Sequence, residues 1–363
     1  MAKNFGDRLV GSIGLLLVGV LVFIGSLVIL YYSEGRTDYS ILADKAIELE
    51  GEVDEEAFVF VTDGLNSLER LGDDLYLEPG DYIAFNRTIE MFAWVEDKHT
   101  DEGDDYYTYD TKWVDEVPNS SEFDQPRHHE NTTKAFDSIR ETVSEGKVGK
   151  YELDMKKVRL PGLSPHKVSE EIIDSYLYID SVSDGDKDYI FDGYGEYGDP
   201  EIGDVRISYS VLEPIDEVTV FGRPDGDKLR QHHGEKESGL YRVFEGTKYD
   251  AISTLKGEYK AAGWMGRIFG FIVMWIGLML ILKPLSVSLE VIPFVANLGK
   301  STLAVIAFVT ALILTAIASF VLSILNGVGG LIAIAVVVVL IGLYLNTKKQ
   351  EANTKKPKAP GHQ

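Results

Sequence analysis

Hydrophobic residues along this chain are distributed in two different ways. Three long stretches are almost uninterrupted, and a polar middle alternates. Residues 9–30 carry no charge at all over 22 positions, about 33 Å as a helix, which suffices to cross a bilayer core of about 30 Å. The stretch ends in Tyr31-Tyr32 followed by Glu34-Gly35-Arg36, an aromatic belt and then charge. That pattern points to an uncleaved anchor, because a secretory signal has a shorter core and ends in small residues. Residues 264–282 form a second apolar stretch containing only Arg267, one turn from its start, where the guanidinium can reach the headgroups. Between Lys300 and Lys348 lie 47 uncharged residues, too long for one crossing. Asn326-Gly327-Val328-Gly329-Gly330 is the place to turn. The pattern therefore predicts four spans, one plus three, at 9–32, 264–282, 302–325 and 328–346. Between the second and third, 284–299 is too short and too interrupted (Glu290, Pro293) to span, and reads as an interfacial or re-entrant amphipathic segment.

In the middle, period-2 alternation recurs between turn signals. Strands are predicted at 56–62, 88–96, 106–114, 151–160, 188–192, 204–212, 217–222 and 228–232. Residues 97–105 are taken as an acidic turn joining the second and third of these. Helices are predicted at 133–144, at 164–175 and at 247–262, the last running into the second span. The fold class that emerges is a polytopic α-helical membrane protein. Its large β-rich α+β extramembrane domain, 33–260, lies between spans one and two and has the character of a twisted sheet or barrel-like module.

Charge sharpens this division. The whole chain of 363 residues carries a formal −23. Residues 33–262 hold 25 basic and 55 acidic side chains, a net of −30, so the ends are mildly basic. Lys3 and Arg8 in the 1–8 tail, Lys283 and Lys300 between spans, and five lysines in the 347–363 tail all fall on one side of a four-span topology. The positive-inside rule makes that side cytoplasmic and puts the acidic domain opposite. The 347–363 tail is expected to be disordered. With no cysteine there is no disulfide framework, thiolate metal site or cysteine nucleophile. A domain at −30 repels phosphate, which argues against nucleic acid as a partner.

Candidate chemistry is sparse. His128-His129 and His232-His233 are the residues best suited by type to bind a metal. Neighbours on a strand point to opposite faces, however, so each pair offers one ligand, and strand-end surface histidines are the preferred reading. Asp184-Gly185-Asp186-Lys187-Asp188 begins like a calcium loop, but Tyr189 stands where glycine is needed and Gly195 where the bidentate glutamate is needed, so an acidic turn is expected. Asn86, Asn119 and Asn131 head formal glycosylation sequons. No G-x-S-x-G, H-E-x-x-H or P-loop pattern occurs. No catalytic residue, cofactor or metal is assigned. Gly11, Gly14, Gly19 and Gly25 in span one suit close helix packing, and no ionisable group is expected at mid-membrane, so the spans read as a scaffold.

Several blocks, in order along nearly the whole chain, resemble the transmembrane protein 43 (LUMA) family. They are Glu34-Gly35-Arg36 at the exit from span one and the strand Glu90-Met91-Phe92-Ala93-Trp94-Val95-Glu96. A partner strand ends at Trp113, Gly203-Asp204-Val205-Arg206-Ile207-Ser208 forms another strand, and Ala261-Ala262-Gly263-Trp264 opens span two. The resemblance implies a polytopic protein with a large lumenal or extracytoplasmic domain and no established enzymatic activity. In these motifs the residues are expected to be structural. Animal members are associated with the endoplasmic reticulum and inner nuclear membrane, with lamin and emerin as partners, which would carry over only for a eukaryotic source. The acidity is more like that of a bacterial or archaeal member, so a prokaryotic cytoplasmic membrane is expected, with both termini cytoplasmic. The leading expectation is a non-enzymatic membrane scaffold. It would contact lipids, form a homo-oligomer and bind unknown membrane or envelope proteins. The alternatives are a lipid- or envelope-modifying enzyme using acidic residues of the outer domain, and a transporter accessory subunit.

Overall fold

The computed structural model describes residues 5–51, 53–101, 104–168, 179–185, 187–234, 236–289 and 300–325, with helix also at positions 332, 335–337 and 339–340. The chain divides into two compact units, 39–254 and a membrane unit made of the segments before and after it.

In the membrane unit, α1 (Phe5–Glu34), α3 (Lys248–Leu289) and α4 (Lys300–Ile324) are three helices long and apolar enough to cross a membrane. Helix is what such sequences must form in hydrocarbon, where every backbone N–H and C=O needs an internal partner. The first turns of α3 belong to the other unit. At its C-terminal end, α1 is closed by Gly35, whose N–H donates to the Tyr31 carbonyl at 2.9 Å. The α1–α3 approach is close enough that glycine is required. A Cβ at Gly19 would stand 2.7 Å from the Ile281 nitrogen, and one at Gly277 would stand 2.8 Å from the Phe23 nitrogen. Of the other glycines expected to pack, Gly14 and Gly25 face open space, and the surroundings of Gly11 lie outside the described residues. Leu27, Leu30, Met274, Ala311 and Leu322 form the unit's core. Phe308 of α4 meets the rings of Phe271 and Trp275 edge-on at 5.2 and 5.4 Å. Helix α3 does not stop at Lys283-Pro284 as expected. Its backbone continues to Leu289, so the first part of the 284–299 segment is helix and the remainder lies outside the described residues. The fourth span, 328–346, falls mostly outside them, and the 347–363 tail entirely so.

The other unit opens with α2 (Tyr39–Lys45) and contains two seven-stranded sheets. In the first, β2 (Val59–Ser67), β6 (Gly146–Val148), β7 (Tyr151–Leu153), β13 (Lys228–Arg230) and β12 (Ile215–Asp225) pair in that order, and β12 pairs back onto β2. The ring is closed, which leaves these five strands without a free edge. The strand β1 (Ile47–Glu48) adds to β2, and β14 (Val243–Glu245) to β12. Inward-facing Val59, Val61, Leu65, Val148, Leu153, Val218, Val220 and Leu229 fill the interior. Tyr241 reaches into it, its hydroxyl donating to the Leu229 carbonyl at 2.6 Å and accepting the Asp154 N–H at 2.8 Å. Burial pushes that phenol up to about 12.

The second sheet is antiparallel and built on β3 (Ala84–Asp101), 18 residues whose burial alternates from Phe85 to Ala93. Its order is β4 (Asp104–Val114), β3, β11 (Val205–Leu212), β10 (Lys187–Asp192), β9 (Ile179–Asp184), with β5 (Ile139–Thr142) added to β3 and β8 (Ser164–His166) to β11. One face packs Phe85, Ile89, Ile207, Tyr209 and Val211 beneath the 71–82 segment.

Five local expectations change. Of the strand expected at 151–160, only Tyr151–Leu153 is strand, and a turn follows. Residues 97–105 are no wide turn, because the β3–β4 ladder runs on to Asp101 opposite Asp104; both faces there are polar, so no hydrophobic period marked the strand. Residues 133–144 form no helix. Lys134 Nζ donates to the Ile89 carbonyl at 2.9 Å and Ser138 Oγ accepts the Ile89 N–H at 2.9 Å, which lays the segment along β3. Ser164–His166 is strand where a helix start was expected, and 169–178 lie outside the described residues. Asp63-Gly64, read as a strand end, sits inside β2.

Candidate functional site

Three polar constellations organise the second sheet, and β3 runs through all of them. On its buried face, Arg87 of β3 donates through Nη1 to Asp73 Oδ2 at 2.8 Å, and the Tyr209 hydroxyl donates to the same oxygen at 2.6 Å. The N–H groups of Leu75, Tyr76 and Leu77 donate to Asp73 Oδ1 at 3.0, 3.0 and 2.9 Å. Burial works to raise the Asp73 pKa, but the bonds from Tyr209, the Leu77 N–H, Arg87 and the Leu75 N–H outweigh it, so the carboxyl sits below its ordinary value. Burial and the Asp73 charge push the Tyr209 phenol up. The network is a fixed anion with its partners arranged round it, and it offers no proton to exchange.

On the opposite face, Glu90 and Arg206 are directly opposed across β3 and β11, with Nε to Oε2 at 2.8 Å. Arg206 also lies over the rings of Trp113 and Tyr189 at 4.8 and 4.6 Å and donates to the Tyr197 hydroxyl at 3.3 Å. Planar guanidinium between aromatic faces is a geometry that lysine cannot reproduce. Two residues upstream, Asp204 accepts the N–H groups of Tyr194, Gly195 and Glu201 at 2.8, 3.1 and 2.7 Å, tying down the 193–201 loop. Gly203 precedes it at φ +103°, a backbone state that side chains disfavour. Asp192 nearby is the one carboxyl that burial, helped by Asp204, clearly raises among the described residues.

The third constellation caps the edge of β3. Asn131 Oδ1 accepts the Trp94 N–H at 2.8 Å, while its Nδ2 donates to the Trp94 and Pro118 carbonyls at 2.9 and 3.1 Å. Asn131 thus acts as a piece of strand, and its amide is not free to carry a glycan despite the sequon. Glu96 accepts from the Tyr109 hydroxyl and the Asp124 N–H, both at 2.6 Å. Below this edge opens a polar cavity of about 550 Å³ whose wall includes Asp115, Asn119, Asn131, Lys134, Asp137 and Ser138. Lys134 donates to the Asp115 carbonyl and carboxylate at 2.6 and 2.9 Å, besides Ile89. Ser138 donates to Asp115 Oδ1 at 2.6 Å. The Ser138 bond, then Lys134, outweigh burial and hold the Asp115 carboxyl below its ordinary range. With its ammonium saturated and its carboxylate engaged, this wall is suited to hold a polar ligand by hydrogen bonds.

The candidate metal ligands do not assemble, and strand-end or surface histidines are the preferred reading. His129 stacks on Tyr109 at 3.7 Å and meets Trp94 edge-on at 4.7 Å, with Nδ1 bonded to the Gln125 carbonyl. His232 sits beside the barrel, its Nδ1 accepting the Gly234 N–H and its Nε2 bonded to the Glu56 carbonyl. Ring nitrogens so engaged are unavailable. His128 and His233 are placed on the same separate elements. No group of three or more metal-ligating side chains occurs among the described residues. Asp184-Gly185 forms a hairpin turn, with Gly185 at φ +67°.

The motif residues instead assemble with one another. Glu90, Trp113 and Arg206 make the aromatic ion pair, Trp94 and Glu96 make the capped edge, and Gly203 and Asp204 the loop anchor. Ser208 and Met91 are buried beside them. In the membrane unit, Glu34 and Arg267 form a bidentate pair at 2.8 and 3.0 Å. Arg36 donates to the Tyr259 carbonyl at 3.0 Å and lies over the Tyr259 ring at 5.2 Å. Gly263 makes room for it, since a Cβ there would stand 3.0 Å from Arg36 Nη2. Trp264 lies under Arg267 at 5.6 Å, and Ala261 and Ala262 continue the same helix. Blocks more than 220 residues apart thus meet at one junction. Sequence reasoning missed Asp73, Tyr209, Asn131 and Lys134, whose roles no local pattern announces.

Comparison with known proteins agrees with this arrangement. The family model described as transmembrane protein 43 matches residues 91–325. The chain is 25% identical to transmembrane protein 43 of Mus musculus over 347 residues, covering 86% of this chain and 84% of that one. The Rattus norvegicus and Homo sapiens proteins of the same name are 26% and 25% identical with the same coverage. No solved structure matches. The chain belongs to the transmembrane protein 43 family.

Proposed function

We propose that this family member is an integral membrane scaffold whose outer β domain binds a partner at the polar cavity beside β3. The observation that carries this reading is the composition of the cavity wall. About 550 Å³ of polar concavity is lined by Asn119, Asn131, Ser138, Glu116 and Asp137, while its Lys134–Asp115 ion pair is already satisfied. Such a wall supports recognition by hydrogen bonds, and the Asp115 carboxyl in it is held below its ordinary range. The membrane unit supports the same reading. Its central helix crossing is made of backbone against Gly19 and Gly277, and its Glu34–Arg267 pair stands near the end of α1, far from where a transport pathway would need ionisable groups. The partner is a membrane or envelope protein, and copies of the chain associate.

The basic segments lie on the cytoplasmic side of a prokaryotic membrane and the acidic domain outside, with a fourth span at 328–346 returning the C-terminus to the cytoplasm. Because the chain has no cysteine, single cysteines at Lys156 and Lys283 give a clean test. An impermeant maleimide applied to intact cells should label Lys156→Cys and leave Lys283→Cys unlabelled; the reverse pattern refutes the orientation. For the site, Thr133→Trp projects into the cavity from an exposed position. It should abolish recovery of the crosslinked partner from membranes while thermal unfolding stays unchanged. Undiminished recovery would rule the cavity out.

A further inference from the structure

We propose that the groove between α3 and α4 is a site for one membrane phospholipid, with Arg267 donating to its phosphodiester, Ser319 donating to an ester carbonyl, and one acyl chain lying along the helices. The groove is a cavity of about 450 Å³, walled by Trp264, Arg267 and Phe271 on α3 and by Thr315, Ser319 and Phe320 on α4. The helices run antiparallel here. Phe308 meets Phe271 and Trp275, the Thr315 hydroxyl meets Met274 Sδ at 3.5 Å, and Ser319 and Phe320 share the wall with Trp264 and Arg267. Ser319 therefore lies about 6 Å nearer the Trp264 end than Thr315, one helical turn. Polar groups cluster at that end, and the groove is aromatic and aliphatic beyond it.

Among the described residues, one buried hydroxyl lacks a hydrogen-bonding partner, and a guanidinium beside the same groove keeps a donor to spare. Arg267 gives Nε and Nη2 to Glu34, and its Nη1 has no hydrogen bond among the described residues. The Ser319 hydroxyl is buried with no partner among the described residues, in a residue only 8% exposed. A serine in a helix ordinarily bonds a carbonyl one turn back, and a buried hydroxyl left without a partner is unfavourable. A phospholipid answers both. Its phosphodiester accepts from a guanidinium nitrogen, and about one turn deeper its ester oxygens are acceptors without donors of their own, which is the complement of a lone hydroxyl. Trp264 at the mouth, 63% exposed, is the residue type that settles at headgroup level. Because Glu34 neutralises Arg267, the site selects by hydrogen bonding and shape, so zwitterionic and anionic phospholipids both fit it.

This inference rests on the membrane-spanning reading of α3 and α4, and the test separates the two. Full-length protein extracted in mild detergent and examined by native mass spectrometry should carry one phospholipid per chain after exhaustive detergent exchange. Ala316→Trp fills the groove and should lower that occupancy at least about tenfold, equivalent to about 1.4 kcal/mol. Ser319→Ala, which removes only the hydroxyl, should lower it about two- to tenfold, as for one neutral hydrogen bond. Both variants should remain in membranes under alkaline extraction. A chain that stays in the membrane yet carries no phospholipid overturns the proposal alone, as does wild-type occupancy in both variants. Release of the wild-type chain by alkaline extraction would instead overturn the membrane-spanning reading beneath it.

Discussion

Asp73 in the outer unit and Glu34 in the membrane unit are both carboxylates withdrawn from water, with side chains 2% and 7% exposed, yet they are held differently. Asp73 has five donors from three directions: a guanidinium, a phenol and three consecutive N–H groups. Glu34 has one partner, Arg267, itself 39% exposed and long enough to turn toward headgroups. The difference follows the surroundings. A water-facing domain with a net of −30 must fix its acids individually to keep a unique fold, so donors are distributed through loops and strands. Where the chain crosses hydrocarbon, cohesion comes from backbone contact at Gly19 and Gly277, and a single ion pair suffices to set the register of two helices. The β-rich unit is thus held by polar networks centred on well-partnered acids such as Asp73, and the membrane unit by close packing.

The largest expected effect tests the first half of that contrast. Asp73→Ala removes one partner of a buried pair and leaves Arg87, 9% exposed, with an uncompensated charge. A loss of about 3–5 kcal/mol of outer-domain stability is expected, measured by denaturant unfolding followed by near-UV circular dichroism. Acid should act through the same group. Folding holds the Asp73 pKa below its ordinary value of about 3.9. Its contribution is therefore complete above that value and is lost as pH falls below it and through the folded-state pKa. Asp73→Asn should abolish that part of the acid dependence. A smaller effect tests the second half. Gly277→Leu places a side chain where the Phe23 backbone stands and should cost about 1–3 kcal/mol or more by overpacking. It should weaken α1–α3 association in a split-chain assay while outer-domain unfolding is unchanged. Smallest is Arg206→Lys, which keeps charge but loses the stacked geometry over Trp113 and Tyr189. A loss of about 1–2 kcal/mol is expected, with altered tryptophan fluorescence. If Gly277→Leu destabilised the outer domain as much as Asp73→Ala does, the contrast would collapse.

How much of this was legible beforehand varied with the physics of each part. Long uncharged stretches are a direct consequence of bilayer thickness, so three of the spans were plain from the sequence. Alternation announced β3 because one of its faces is buried, while β10, β11 and β12, buried on both faces over three or more consecutive residues, showed as short β-branched and aromatic runs between turn signals. It was silent where both faces are wet, as at the end of the β3–β4 ribbon, and at the three-residue β6, while it marked β7 and β13 but ran the former on to 160. A barrel-like module was one of two expected forms, and its closure depends on pairings among short strands that local pattern does not set. Residues 133–144 looked helical by composition, but Lys134 and Ser138 commit their side chains to the β3 backbone, a tertiary competition invisible in local pattern. The motif residues were legible as a set, because Glu90, Trp113 and Arg206 are of types that gain from pairing. Asp73, one acid among 58 acidic residues, carried no mark of its importance. The histidine pairs show the converse: adjacent imidazoles drew attention, and their ring partners absorb two of them.

The central claim, that the outer domain recognises a partner at the cavity beside β3, is tested most directly by site-specific photocrosslinking in intact membranes. A photoreactive side chain would be placed either at Thr133 in the cavity wall or at Lys156, exposed on the barrel. The account predicts one discrete protein adduct from position 133, none from 156, and loss of the adduct when Asn119→Trp occludes the cavity. Equal adducts from both positions, or none from 133 while the chain is folded in the membrane, would contradict it.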